Sequence, residues 1–296
     1  AKILPSIKLI MKQLQEDRYY ISVEDNGPGI VKKQIPNIFA KLLYGSKFFT
    51  MKQQRGQQGI GISAAVLYSQ LTTGKPAKIT SKIGKNHPAH YYELKIDTKN
   101  NEPEIIIDKE VSLNSDHGTK VELEMEAIYQ KGARGVDEYL KQTSIANPHS
   151  EIIYIDPEEK KIVFPRASQE LPKEPKEIKP HPHGIELGIF ISMLQNTNSK
   201  TITSFFTNDF IRISSVTAKK ICEEAGIKSN DSPKSLDMDV SEKLYRVVQK
   251  TKLIAPPTNC LSPIGAEALQ KSFEKEIPAE FFASVTRPVS VYRGNP

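Results

Sequence analysis

Two glycine-rich stretches roughly 30 residues apart constrain the chain more than any other feature: Val23-Glu24-Asp25-Asn26-Gly27-Pro28-Gly29 and Arg55-Gly56-Gln57-Gln58-Gly59-Ile60-Gly61-Ile62-Ser63. Residues 19 to 25 alternate as a strand, which puts Tyr19, Ile21, Val23 and Asp25 on one face. A carboxylate therefore ends the strand on its apolar side, directly before a glycine turn. The second stretch leads into a helix predicted over Ile60 to Leu71, carrying Ile62, Ala65, Val66 and Leu67. A carboxylate at a strand end and a glycine loop at a helix start suit one base and one polyphosphate.

Two better-known phosphate motifs are excluded. Gly56 to Gly61 has G-x-x-x-x-G spacing, but Ile62-Ser63 stands where a P-loop requires lysine and a hydroxyl residue. Gly27-Pro28-Gly29 is followed by Lys32 where a dinucleotide fingerprint needs its third glycine. What remains is an acceptor-only carboxylate, Asp25, suited to the amino group of adenine and unsuited to the carbonyl edge of guanine. Gly27 and Gly29 let backbone approach a flat ring, while Gly56, Gly59 and Gly61 offer N–H groups and a positive helix end to phosphates. Each half has an ordinary alternative, an Asx turn at Asp25 and a flexible connector at residues 56 to 61. Thr119, which shares its strand face with Val121, Leu123 and Met125, adds an inward hydroxyl that needs a partner. Ser46 and Lys47, at the start of the polar segment, are candidates to reach the phosphate or ribose side, with a solvated loop as the alternative.

The rest of the chain reads as two-layer α+β followed by a helical segment. A helix is predicted over 31 to 43, a polar mobile segment over 44 to 58, and strands over 78 to 83, 91 to 96, 104 to 107 and 120 to 126. A helix over 135 to 143 and a hairpin of 151 to 154 with 161 to 164 follow. Pro165, Pro172, Pro175, Pro180 and Pro182 then mark an extended, semi-rigid connector. Helices are predicted over 185 to 195, 201 to 206, 214 to 225 and 241 to 251, and a last one over 266 to 273. The state of residues 1 to 15 is left open.

Composition narrows the function classes. No run approaches the roughly 18 apolar residues of a membrane span, and Ala1 to Leu9 lacks a secretory apolar core, so a soluble, cytoplasmic protein is expected. With two cysteines, Cys222 and Cys260, neither a disulfide framework nor a four-cysteine metal site is available. The pairs His87/His90 and His181/His183 sit in proline-containing polar stretches and read as surface loops rather than zinc ligands. The formal charge of +6 permits contact with nucleic acid without demanding it.

The arrangement resembles the GHKL ATPases, and among them the B subunits of archaeal type IIB DNA topoisomerases, topoisomerase VI, over essentially the whole chain. Besides Glu24 to Ile30, the resemblance is carried by Leu43-Tyr44-Gly45-Ser46-Lys47, Gln54 to Gly61, Ala64 to Gln70 and Lys179-Pro180-His181-Pro182-His183-Gly184. The last group is specific to those subunits. The resemblance implies a Bergerat-type two-layer α/β sandwich over 1–178, a small all-helical helix-two-turns-helix domain over 179–257, and the start of an α/β transducer domain over 258–296. It implies ATP and Mg²⁺ as ligands, with Asp25 on adenine, Gly29 in the hinge, residues 56 to 63 (Gly56, Gln57, Gln58, Gly59, Ile60, Gly61, Ile62 and Ser63) around the phosphates, and Thr119 supporting the base. Ser63 stands where some relatives carry lysine.

The implied cycle is that of a clamp: two B subunits dimerise on ATP and grip one duplex of double-stranded DNA, while two A subunits cleave another. Lys131 and Arg134, in Lys131-Gly132-Ala133-Arg134-Gly135, resemble a basic DNA-contacting loop, with Ala133 replacing a basic residue and a solvated turn as the alternative. From Gly184 to Ala255 ten basic residues face eight acidic ones, so any DNA contact there is expected to be weak and salt-sensitive. The E-x-x-x-N pattern that places water and Mg²⁺ in the family is not found before Asp25. That carboxylate and the transducer lysine that senses the γ-phosphate are expected outside residues 1 to 296, so these residues alone are expected not to hydrolyse ATP. The alternatives are another GHKL ATPase of chaperone, mismatch-repair or sensor-kinase type, and a non-hydrolysing DNA-binding scaffold whose glycine loop is a linker.

Overall fold

A computed structural model describes residues 3–45, 51–54, 56 and 58–296. The chain divides into two compact units: one of Ala1–Phe48, Gln54–Pro172 and Ile264–Thr286, the other of Phe49–Gln53, Lys173–Pro263 and Arg287–Pro296.

The first unit is built on an eight-stranded sheet. Its strands are β1 (Ser6–Gln15), β2 (Arg18–Asp25), β3 (Ala77–Lys82), β4 (Ala89–Asp97), β5 (Glu102–Val111), β6 (Gly118–Glu126), β7 (Glu151–Ile155) and β8 (Lys161–Phe164). Their spatial order is β5-β4-β3-β6-β2-β1-β7-β8. Only the β1–β7 pair among them is parallel. The helices are α1 (Ile35–Ala40), α2 (Gly61–Thr73), α3 (Val136–Ala146) and α8 (Ala266–Glu276).

Period-two alternation sorts the sheet into two faces. On the helix side, Ile79, Leu94 and Leu123 join Ile35, Phe39, Ala40 and Val66 in one core, and Met11, Tyr19, Ile152 and Tyr154 join Leu140 in a second. On the other side the ladders carry charge, with Arg18 on Glu124 at 2.9 Å and Lys120 on Glu122 at 3.0 Å. Tyr20 donates to Glu122, and burial followed by that bond pushes its phenol up to about 12.

Helix α1 is shorter than the predicted 31–43. A 3-10 turn covers Lys32–Gln34, and Pro36 occupies the first helical turn, where its missing N–H costs nothing. Leu42 and Leu43 fall outside because Asn101 captures the backbone: Leu42 N–H donates to Asn101 Oδ1 at 2.8 Å, and Asn101 Nδ2 donates to Leu42 O at 3.0 Å. Leu43 consequently sits at φ 59° and stays exposed. Helix α2 runs two residues beyond its predicted end and stops at Gly74, φ 68°.

Helix α2 docks on the sheet through small polar groups. Ser69 donates to Glu124 O at 2.7 Å, while Gln70 exchanges two bonds with the backbone of Ile96, at 3.0 and 2.7 Å. These bonds fix the helix axis, and with it the position of the N-terminus at Gly61.

The second unit packs α4 (Leu187–Asn196), α5 (Ile202–Asp209), α6 (Ser215–Ala225) and α7 (Met238–Lys250) around Phe190, Phe205, Phe206 and Phe210. Their ring centroids lie 5.3 to 6.2 Å apart. Thr201 and Ser204 form a capping box on α5, Ser214 caps α6 and Asp237 caps α7.

Within this unit, the segment expected to be mobile is anchored where described. Gln53 N–H donates to Cys260 O at 2.7 Å, Ser262 N–H donates to Gln53 Oε1 at 2.6 Å, and Ile178 N–H donates to Met51 O at 3.2 Å.

The histidine pair at 181 and 183 is not a surface loop. His181 is buried, its Nε2 donating to Ile254 O at 3.2 Å while its Nδ1 accepts from His183 N–H at 3.3 Å. His183 Nε2 donates to Val248 O and Thr251 O, so the two rings satisfy carbonyls at and beyond the end of α7.

Burial, then the neighbouring His183, holds the His181 pKa below its ordinary value of 6.5. Because the unfolded state binds the proton more readily, this group contributes stability above about pH 6.5 that is lost as pH falls through the folded value. Acidification from pH 7.5 to 5.5 is therefore expected to lower the denaturation midpoint. The slope from this group is at most about 1.4 kcal/mol per pH unit. A His181→Gln variant, measured beside the parent by urea titration at each pH, is expected to lack that component. Parallel curves for the two proteins would exclude it.

Candidate functional site

The site lies where β2, β6 and β3 end beside one another. Asp25 pairs in register with Thr119, and Thr119 pairs in register with Ser81, so the three share one row and one face across three strands. Thr119 and Ser81 are buried, whereas Asp25 is half-buried. Val23, on the same helix-facing side, is 38% exposed, so the described residues leave this part of the face uncovered.

Asp25 Oδ1 accepts from Gly27 N–H at 2.7 Å, which is the Asx turn, and among the described residues no hydrogen bond engages its second carboxylate oxygen. Asn26 fastens the turn to the sheet, accepting from Ser6 N–H at 2.8 Å and donating to Leu4 O at 3.1 Å. His117 Nδ1 lies 2.9 Å from Gly27 O.

Gly29, at φ 71°, presses its backbone on the end of β3. A Cβ there would sit 2.0 Å from Lys82 O. Gly59 has the same constraint against Tyr44 O, at 2.2 Å and φ 62°. By contrast, a Cβ at Gly56 or Gly61 would meet nothing within 4 Å.

The N-terminus of α2 has no side-chain cap, and its N-cap residue is Ile60, which cannot supply one. No acid occupies its first turn. The helix end thus keeps donors and a positive partial charge for an anion. Gln58, Gly59, Ile60, Gly61 and Ile62 lie at this entrance, Ile60 and Ile62 exposed. Ser63 is buried and turned inward, donating to Ile60 O at 3.1 Å and approaching Gly59 O at 3.2 Å. Ser46, Lys47 and Gln57 lie outside the described residues.

Lys131 and Arg134 belong to the loop after β6, beyond the end of that strand opposite to Thr119, and the strand from Thr119 to Glu126 alone spans roughly 23 Å. Lys131 Nζ pairs with Glu158 at 2.5 Å, which raises its pKa, and Arg134 is exposed. Among the described residues, no group of three or more His, Cys, Asp or Glu is placed to hold a metal ion.

Sequence reasoning missed Ser81 and His117 as parts of this end of the sheet. Ser81 follows Ile79 on the inward side of β3, so a hydroxyl at an apolar position was the available signal. Its partners are three: Ile30 N–H donates to Ser81 Oγ at 2.8 Å, Gly118 O lies at 3.2 Å, and Thr119 Oγ1 at 2.9 Å.

Comparison with known proteins covers both ends of the chain. The family described as histidine kinase-, DNA gyrase B-, and HSP90-like ATPase matches residues 3–127, the part that holds this site. The topoisomerase VI B subunit transducer family matches residues 256–296. Among curated relatives, the B subunit of type 2 DNA topoisomerase 6 from Methanococcoides burtonii is 50% identical, covering 100% of this chain and 48% of the relative. Its counterpart from Methanosarcina barkeri is 48% identical, with 100% and 48% covered. That of Archaeoglobus fulgidus is 45% identical, with 100% and 49% covered. The chain thus spans about half the length of these relatives. Identity at this level, sustained from the nucleotide-type site through to the transducer match, places the chain in the family of type 2 DNA topoisomerase 6 B subunits.

Proposed function

We propose that the chain binds ATP as the clamp-closing part of the B subunit of a type IIB DNA topoisomerase. The observation that carries this reading is the Asp25–Thr119 row at the uncovered end of the sheet, in a chain whose first 127 residues match an ATPase family. Asp25 accepts from the adenine amino group, Thr119 supports the base, and Gly27 and Gly29 line its plane. Gly56 and Gln58 to Ile62 cradle the phosphates at the uncapped end of α2. The donor set fits such a ligand: an acceptor at the base end and N–H groups at the anion end.

Mg²⁺ would accompany the polyphosphate and neutralise its charge. ATP supplies the phosphoanhydride whose hydrolysis resets the clamp. Dimerisation of two B subunits, cleavage of DNA by two partnering A subunits, and passage of a second duplex complete the proposed cycle. Arg134 offers one exposed phosphate contact to that DNA, while Lys131 is engaged by Glu158. Residues 179–257 and 258–296 are proposed as the helical domain and the start of the transducer. No described helix is long and apolar enough to cross a membrane.

Differential scanning fluorimetry with ATP, a non-hydrolysable analogue and GTP tests the reading. An adenine nucleotide at ten times its Kd is expected to stabilise the protein by about 1.4 kcal/mol, with GTP giving no matching shift. A scaffold with a linker in place of the glycine loop predicts no shift with any of them.

A further inference from the structure

We propose that Ser81 is a positioning residue that turns the Thr119 hydroxyl into a hydrogen-bond donor toward N1 of adenine, directly or through one water. The inference rests on the ATP reading above and names the residue that sets the polarity of the Thr119 hydroxyl within the same site.

Hydroxyl accounting carries the argument. Ser81 is fully buried, and its Oγ accepts from Ile30 N–H at 2.8 Å, which uses one of its two lone pairs. Its single proton has two acceptors within reach, Thr119 Oγ1 at 2.9 Å and Gly118 O at 3.2 Å. If Ser81 donates to Thr119, the Thr119 proton is released to point out of the dyad. If Ser81 donates to Gly118 O, Thr119 must donate back to Ser81, and only its lone pairs face outward. The two states present opposite polarity at the same place.

Adenine selects between them. Its amino group is a donor and meets the acceptor-only Asp25; the neighbouring N1 is an acceptor and needs a donor. Thr119, opposite Asp25 in the ladder, supplies that donor only in the state where Ser81 donates to it. Guanine presents the reverse order, a carbonyl and then an N–H, and is mismatched at both positions. Base choice is therefore read twice, once by a fixed charge and once by an oriented proton. The Ile30 bond joins this dyad to the Gly27–Gly29 turn, so the hinge and the proton orientation are set by one atom.

The test compares ATP with 1-deaza-ATP, in which C–H replaces N1, by calorimetry on the full-length protein. The parent is expected to prefer ATP about tenfold, the value of one hydrogen bond. Ser81→Ala removes the hydroxyl that donates to Thr119 Oγ1, so the outward orientation of the Thr119 proton is no longer fixed. ATP affinity is then expected to fall several-fold with 1-deaza-ATP affinity nearly unchanged, bringing the ratio close to one. Equal weakening of both nucleotides, with the tenfold ratio retained, would show a purely structural role and overturn the proposal. If Ser81→Ala does not fold, Ser81→Cys, a weaker donor of similar shape, is measured instead, and a parental ratio there overturns it equally. Failure of the underlying ATP reading is distinct, since the parent itself would then bind neither nucleotide.

Discussion

Asp25→Asn is expected to weaken ATP binding by about 1.5 to 3 kcal/mol, roughly 10- to 150-fold in Kd. The magnitude follows from what the two oxygens do. Oδ1 is occupied by Gly27 N–H at 2.7 Å, and an asparagine retains that oxygen and hence the turn. The second oxygen becomes an amide NH₂. A donor then faces the amino group of adenine, also a donor, where a charge-assisted acceptor stood before. The substitution removes one interaction without dismantling the loop, which makes it a cleaner test than Asp25→Ala. Calorimetry is the measurement, run beside a thermal melt to show that the fold is unchanged. Equal ATP affinity in the two proteins would remove Asp25 as the base reader.

The strand carrying Asp25 was legible because alternation and a glycine turn are local signals. The start of α2 and the inward hydroxyl of Thr119 were legible on the same grounds. What could not be read locally was set by groups distant in sequence. Helix α1 stops early because Asn101, 59 residues downstream of Leu42, bonds both its N–H and its carbonyl. No periodicity in residues 31 to 43 contains that information. His181 and His183 look like a polar loop by composition, and became a hydrogen-bonded pair with His181 buried only because carbonyls near the end of α7, about 70 residues later, needed donors. Ser81 was passed over for a related reason. A lone serine in a strand carries no signal until the register sets it beside Thr119 and the hinge closes on it.

Gly29→Ala is expected to be the most costly of the substitutions considered, about 2 to 5 kcal/mol of folding stability. Two effects add. At φ 71° an L-residue with a Cβ loses roughly 1 to 2 kcal/mol relative to glycine. The added carbon would also lie 2.0 Å from Lys82 O and 2.5 Å from Lys82 C, backbone atoms of a paired strand that cannot swing aside as a side chain can. Relief requires the turn or the end of β3 to shift, and such overpacking costs roughly 1 to 3 kcal/mol more. The shift would pull Ile30 from Ser81, so the adenine end of the site would be lost along with stability. Gly61→Ala is the matched control, because its Cβ meets nothing within 4 Å and its φ is not positive. That variant is expected to stay within about 1 kcal/mol of the parent in stability. Urea midpoints at unchanged m-value separate the two. If Gly29→Ala unfolds at the parental midpoint, the close approach of the hinge to β3 is not what requires glycine there.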